Sequence, residues 1–263
     1  MRKCIFFLFV FGILFLTGDV YGFDLKGLQP VAPYGVFSSF SAYSPQQGKT
    51  VIGLSAEKSR EPDFYRYIFQ YSYAMTDDTE ISADIPYVEK WRDENSGFED
   101  VSFGIKHRFI DEGMYGPSVA YMLNASVPSG VDEFSTDGRV GAGIIASKRI
   151  GPVIGHANIF YERAGSRRFE DEILFAFGFD FSAAHNFKVL GELYGRKSQY
   201  SSGIDQIEGR FGYRFFTTEY LFTTIGAGFD LKNRTPEYRV LFSISAVLPI
   251  EGKKVKMIYE EDK

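Results

Sequence analysis

Cysteine is nearly absent from this 263-residue chain, and the only one is Cys4. Arg2 and Lys3 precede an apolar run from Cys4 to Leu16, and small or turn-forming residues follow as far as Gly22. That order is expected of a secretory signal peptide cleaved near Gly22. The run is too short for a transmembrane helix, and Cys4 stands at its start instead of after a small-residue lipobox, so no lipid anchor is expected. A mature chain beginning at Phe23 would hold no cysteine, which excludes disulfides, thiol chemistry and cysteine metal ligands. After residue 22 no stretch approaches the roughly 18 consecutive apolar residues of a helical span, so a place in a membrane would have to be taken by strands. The formal net charge is only −5, a mildly acidic balance that argues against nucleic acid as a partner. Histidine and tryptophan are scarce, at 3 and 1 residues, whereas Phe (27), Tyr (17) and Gly (27) are plentiful.

The aromatic residues alternate. Tyr65, Tyr67, Phe69, Tyr71, Tyr73 and Met75 share one parity, with Arg66, Gln70 and Ser72 on the other. Ile173, Phe175, Phe177, Phe179 and Phe181 repeat the pattern against Ala176, Gly178 and Asp180. So do Ile207, Gly209, Phe211, Tyr213 and Phe215 against Glu208, Arg210 and Arg214. A period of two belongs to a strand, because a helix would scatter these residues around its circumference. Applied to the whole chain, the pattern predicts twelve strands, beginning near residues 49, 65, 79, 98, 117, 138, 153, 171, 187, 206, 220 and 237. Short connections (Thr76 to Asp78, Ile150 to Pro152, Ser182 to Asn186, Phe216 to Glu219) alternate with longer ones (Trp91 to Gly97, Ser129 to Gly138, Ala164 to Glu170, Ser198 to Asp205). The expected fold is all-β, an antiparallel up-and-down transmembrane β-barrel with short periplasmic turns and longer external loops.

Charge separates a barrel in lipid from a sandwich in water. No Asp, Glu, Lys or Arg occupies the apolar parity in the central stretch of any predicted strand, and the polar exceptions are His107 and Thr223. The opposite parity carries Arg66, Asp84, Lys106, Asp180, Lys188, Glu192, Glu208, Arg210, Arg214, Asp230 and Arg239, set among Gly, Ala and Ser. Small residues with charges between them suit a crowded lumen better than a wet sheet face. Tyr65, Tyr87, Phe109, Tyr161, Phe181 and Tyr238, near strand ends, are expected in interfacial girdles. An even strand number puts both chain ends on the periplasmic side. The domain plan is then a leader over 1–22, a periplasmic lead-in or lumen insert over 23–48, the barrel over 49–249 and a charged periplasmic tail over 250–263. The lead-in leaves room for a strand between Tyr34 and Tyr43.

One stretch carries a family pattern. Gly97-Phe98-Glu99-Asp100-Val101-Ser102-Phe103-Gly104-Ile105-Lys106-His107-Arg108-Phe109 is followed by Gly116-Pro117 and by Val127-Pro128-Ser129-Gly130. Over roughly residues 97–130 this resembles the signature of the outer-membrane transporter family named for the meta-pathway of phenol degradation. In that signature a Gly/Asp-led strand with a Gly-x-Lys core precedes a strand ending in Pro-Thr-Gly. Ser129 replaces the usual Thr. The C-terminus, Tyr259-Glu260-Glu261-Asp262-Lys263, departs from the aromatic ending common in outer-membrane barrels, and a signal ending the last strand near Leu248 is the alternative. The resemblance implies outer-membrane passage of small molecules.

Catalytic constellations are thin. His107, His156 and His185 fall in different strands or turns, and none has a nucleophile motif around it. His107 stands where an outer-membrane phospholipase would carry its base, but it reads more simply as an interfacial side chain. His156 with Asn158 reads as hydrogen-bonded lumen filler. Asp93, Glu94, Glu99 and Asp100 lack calcium-loop spacing and read as a solvated charge run. No enzyme activity, cofactor or metal is expected. The functional candidates lie on the lumen wall, where the strands near 187, 206 and 237 point Lys188, Glu192, Arg196, Glu208, Arg210, Arg214 and Arg239 inward. Such a ladder can line a constriction favouring anionic or aromatic-carboxylate solutes, or its charges can pair and fill a small barrel. The expected role is therefore an outer-membrane channel for small solutes, with a closed or plugged structural, adhesive or surface-binding barrel as the alternative. Expected partners are outer-membrane lipids, lipopolysaccharide (through Arg167 and Arg168), the barrel assembly machinery and a small-molecule solute, with no nucleic acid.

Overall fold

A computed structural model of the chain describes residues 35–59, 64–91, 95–132, 134–199, 202–232 and 238–248. The expected leader, the lead-in before Gly35 and the C-terminal tail lie outside the described residues. The strands are β1 (Thr50–Ser59), β2 (Phe64–Ala74), β3 (Thr79–Trp91), β4 (Asn95–Phe98), β5 (Val101–Ile110), β6 (Ser118–Val127), β7 (Arg139–Ile150), β8 (Val153–Ala164), β9 (Glu172–Ala184), β10 (Phe187–Lys197), β11 (Gln206–Phe216), β12 (Leu221–Asp230) and β13 (Tyr238–Leu248). Each pairs antiparallel with its neighbour, and β13 returns to β1 from Thr50↔Leu248 to Ser59↔Arg239, which closes the barrel. The strands β4 and β5 both pair with β3, at Tyr87↔Phe98 and from Thr79↔His107 to Asp84↔Ser102. They are two halves of one stave, so the barrel has 12 staves, starting within a few residues of the positions that alternation predicts.

The burial is inverted. Leu54, Phe69, Ile85, Phe103, Ile144, Phe177, Phe211 and Ile244 point outward and are exposed, whereas Arg139, Arg214, Gln70 and Glu162 are among the largest fully buried side chains. An apolar band around every stave far exceeds the exposed patches a protein in water tolerates, and lipid is the solvent that accommodates it. Every girdle candidate faces outward, including Tyr161 and Tyr238 at one rim and Phe109 and Phe181 at the other. His107 also faces outward, with Thr79 Oγ1 2.8 Å from its Nδ1. The short side of the barrel carries turns such as Ile150-Gly151-Pro152, where Gly151 takes φ 59°, a left-handed conformation that suits glycine.

Three expectations need correction. The connection from Trp91 to Gly97 is not a long loop, because β3 continues to Trp91 and pairs with β4 through Val88↔Gly97 and Trp91↔Asn95. Glu99 and Asp100 are not a solvated run, since both are buried where the β4/β5 stave breaks. Asp93 and Glu94 lie outside the described residues. The break faces Pro86, which has no N–H to offer the ladder, and the Glu99 N–H donates to the Pro86 carbonyl at 3.0 Å. Finally, no strand runs between Gly35 and Tyr43. The backbone of that segment bonds to side chains of the wall instead of to another strand.

The family-like motif forms a clamp. The Asp100 carboxylate accepts from the Gly130 N–H (3.0 Å), the Ser135 hydroxyl (2.9 Å), and the Thr136 N–H and hydroxyl (2.8 and 2.7 Å). Ser129 Oγ accepts from the Val101 N–H at 3.0 Å, which any hydroxyl residue at that position could do. A Cβ on Gly130 would sit 2.9 Å from the Glu99 carbonyl carbon and 3.0 Å from the Asp100 nitrogen, so glycine is required by close approach. The two ends of the motif therefore tie the β6–β7 loop to the junction of β4 and β5. Asp100→Ala should strand these donors at a cost of about 2 kcal/mol or more. Limited proteolysis should then cut between Pro128 and Gly138 while the barrel keeps its heat-modifiable gel mobility.

Candidate functional site

All seven ladder residues line the lumen. Lys188 pairs with Asp180 at 2.9 Å. Arg210 lies between Glu192 at 3.0 Å and Glu208 at 3.1 Å, and its guanidinium stands over the Tyr194 ring at 4.4 Å. Arg239 meets Glu57 at 2.8 Å and Glu208 at 3.7 Å. Arg196 reaches Glu172 through Nε at 3.2 Å. Arg214 differs, because its guanidinium donates to Thr224 Oγ1 and the Gly35 carbonyl, each at 3.0 Å, and to the Val36 carbonyl at 3.4 Å. Sequence reasoning missed Arg139, whose guanidinium lies 3.7 Å from Glu162 and 3.4 Å from Glu172, with Asn124 donating to Glu162 at 2.9 Å. The signal was present, since Arg139 shares inward parity with Gly141, Gly143 and Ile145.

The ladder also holds part of the lead-in, for which a place in the lumen is one of the two expectations. Residues 35–43 run inside the barrel, and one Glu192 oxygen receives four donors from them. They are the N–H groups of Phe37 (3.3 Å), Ser38 (2.8 Å) and Ser39 (2.7 Å) and the Ser39 hydroxyl (2.6 Å). Asn158 closes a two-way bond with the Phe40 backbone at 2.5 and 3.0 Å. Ser147, itself bonded to His156, accepts from the Ala42 N–H at 2.9 Å. Lys106 donates to the Ser41 and Tyr43 carbonyls at 2.8 and 2.7 Å while pairing with Glu80 at 3.0 Å. Thus Asn158 does more than fill space. It reads the segment's backbone.

Lumen glycines shape the seat. A Cβ on Gly226 would lie 2.4 Å from the Phe37 ring, and one on Gly178 would lie 2.6 Å from Ser39 Oγ and 2.9 Å from Val36. Phe40 packs edge-on against Phe160 with centroids 5.6 Å apart, within a patch that includes Met122, Ile145 and Leu174. Beside Val36 and Phe37, against Ser55, Gln70 and Leu241, a cavity of about 30 Å³ remains, room for little more than a water. In this conformation the chain's own segment occupies the lumen. At the mouth, Tyr43 donates to Glu112 in the β5–β6 turn. Burial, together with that bond, pushes the Tyr43 hydroxyl up to about 12. The same bond is the main cause that holds the Glu112 carboxyl below its ordinary value.

Two outcomes follow. In a Ser41→Cys protein, whose only other cysteine is Cys4, a small thiol reagent should label the segment slowly. Adding Glu192→Ala should raise the rate more than tenfold, because each bond to a charged acceptor contributes about 1.5–3 kcal/mol. The Glu112 tether is complete above the ordinary carboxylate range and is lost as pH falls through the lowered folded-state value. Hydrogen exchange over residues 41–44 should therefore accelerate on acidification, and Glu112→Ala should remove that dependence.

No protein-family model and no curated protein matches the chain. Among solved structures, an outer-membrane channel from Pseudomonas putida F1 superposes with a TM-score of 0.60 at 13% identity, covering 78% of this chain and 97% of that one. The KdgM porin gives 0.58 at 8% identity, with 74% and 98% covered. The NanC porin gives 0.58 at 10%, again with 74% and 98% covered. At these identities the likeness is one of fold, and the chain shares the barrel fold of porins and outer-membrane channels.

Proposed function

We propose that the chain is an outer-membrane channel for small solutes, anionic or aromatic ones among them, closed by its own residues 35–43. The carrying observation is the lumen itself. A charged interior inside an apolar-walled barrel is filled by a segment held through separate polar bonds, which can be exchanged for water or solute. The fold neighbours are porins and a channel, one of them determined in complex with disordered oligogalacturonate. The motif over residues 97–130 supports kinship with the phenol meta-pathway transporters. The basic leader ahead of Phe23 supports export, and Arg167 and Arg168, exposed in the β8–β9 loop, suit lipopolysaccharide phosphates. Barrel insertion would use the usual assembly machinery.

Withdrawal of the segment would leave the lumen's formal charge as it is, because residues 35–43 carry none, but would take acceptors from its cations. Arg214 would lose two carbonyl acceptors and Lys106 another two, while Glu192 would keep Arg210. Arg214, which keeps Thr224, then lowers the entry cost of an anion, while Lys106 stays paired with Glu80. The second reading, a plugged barrel with a structural or surface-binding role, draws on the close fit of the segment around Val36 and Phe37, where a cavity of only about 30 Å³ is left.

Planar bilayers separate the two. The channel reading expects brief openings in the wild type and larger, sustained conductance after deletion of residues 35–43. Silence in both would favour the plugged barrel. Anion preference in the deletion protein should fall when Arg210 and Arg214 are replaced by Ala, and unchanged selectivity would end the constriction role of the ladder.

A further inference from the structure

Opposite the cationic wall, β2, β3 and β5 present a different surface. Gln70, Asp84 and Ser102 lie side by side on the inner face through the pairs Gln70↔Asp84 and Asp84↔Ser102. One row along, Ser72 faces Ser82. Direct cross-strand neighbours hold their Cβ atoms about 5 Å apart, so these oxygen-bearing side chains surround one point in the wall. Asp84 is 1% exposed, Ser72 2% and Ser102 0%. Beyond the adjacent Gln70 amide the Asp84 carboxylate has no polar partner among the described residues, and the hydroxyls of Ser72 and Ser102 have none.

The nearest cations along the staves are committed. Arg66, four residues before Gln70, donates to Glu99 through Nε at 2.9 Å. Lys106, four residues after Ser102, holds Glu80 and the segment's carbonyls. Arg66 also attracts Asp84, but it shares its single charge with Glu99, so Asp84 sits between two pairs already neutral in sum. A buried carboxylate without compensation is strongly unfavourable, and the hydroxyls beside it offer lone pairs as well as protons. The missing component is a positive charge small enough to lie among oxygens.

We propose that Asp84, with the oxygens of Gln70, Ser72 and Ser102, forms a lumen site for a monovalent cation, either an alkali ion or a small primary ammonium group. The site stands on the opposite wall from Arg210 and Arg214 and does not depend on whether the barrel conducts. A ligand that binds only the folded barrel stabilises it in proportion to occupancy.

The test measures thermal unfolding of the full chain in detergent at constant pH and chloride, with sodium or potassium chloride replacing choline chloride in steps. The wild type should show a saturable rise in midpoint with the alkali ion, and methylammonium should substitute for it. Ser102→Ala should move half-saturation several-fold higher, and Asp84→Asn should abolish the rise. If Asp84→Asn fails to insert, the Ser102→Ala shift still decides. A wild-type midpoint equal in sodium, potassium and choline but moving with pH would assign the compensating charge to a proton and overturn the site. A rise that persists in Asp84→Asn would also overturn it. Bilayer silence would bear only on the channel reading.

Discussion

The polar groups inside this barrel can be partnered only from inside, because the staves turn an apolar face outward and no water reaches the wall from that side. The rest of the structure follows from this condition. It explains why the acids on β8, β9 and β11 stand across from arginines on β7, β10 and β13, and why Arg139 and Glu162 can be buried together. Such pairs add little net stability over an apolar filling, since desolvation offsets most of their attraction. They do make the interior specific, because losing one member leaves the other buried with its charge uncompensated.

The same condition explains residues 35–43. A chain lying in the lumen exposes N–H and C=O groups that no strand pairs, and the wall supplies a partner for many of them: Glu192 and Asn158 accept, while Arg214 and Lys106 donate. Phe37 and Phe40 then occupy space left by Gly226 and by the apolar patch around Phe160. A plug built this way differs from a hydrophobic core. Its bonds are directional, few at each point and replaceable by water, so it combines closure with the capacity to release. The β6–β7 loop is held to Asp100 at the other end of the barrel by the same kind of carboxylate-to-backbone bonding.

Much of the barrel is legible in sequence because lipid on one side and a crowded lumen on the other make alternation unusually clean. Tyr65 to Met75 and Ile173 to Phe181 could hardly be read otherwise, and the inward ladder follows from parity alone. What parity cannot reveal is pairing across sequence distance. Glu192 looks like one more lumen charge until the chain 153 residues earlier is seen bonded to it. Residues 35–43 carry no period, so sequence leaves a periplasmic lead-in and a lumen insert as equal choices, and only the room left by Gly178, Gly212 and Gly226 points to the lumen. Glu99 and Asp100 misled for a related reason. Two adjacent acids suggest solvent, yet a broken stave opposite Pro86 turns both inward.

The central claim is that the lumen segment closes a conducting barrel. A cysteine pair tests it most directly, with Ser39→Cys on the segment and Gly178→Cys on β9, since a Cβ at Gly178 would lie 3.1 Å from that of Ser39 and a shift of the segment by about half an ångström brings the pair to disulfide spacing. The account predicts that the oxidised protein is silent in a planar bilayer and that reduction restores openings in the same membrane. Equal conductance in the oxidised, cross-linked and reduced states would contradict it.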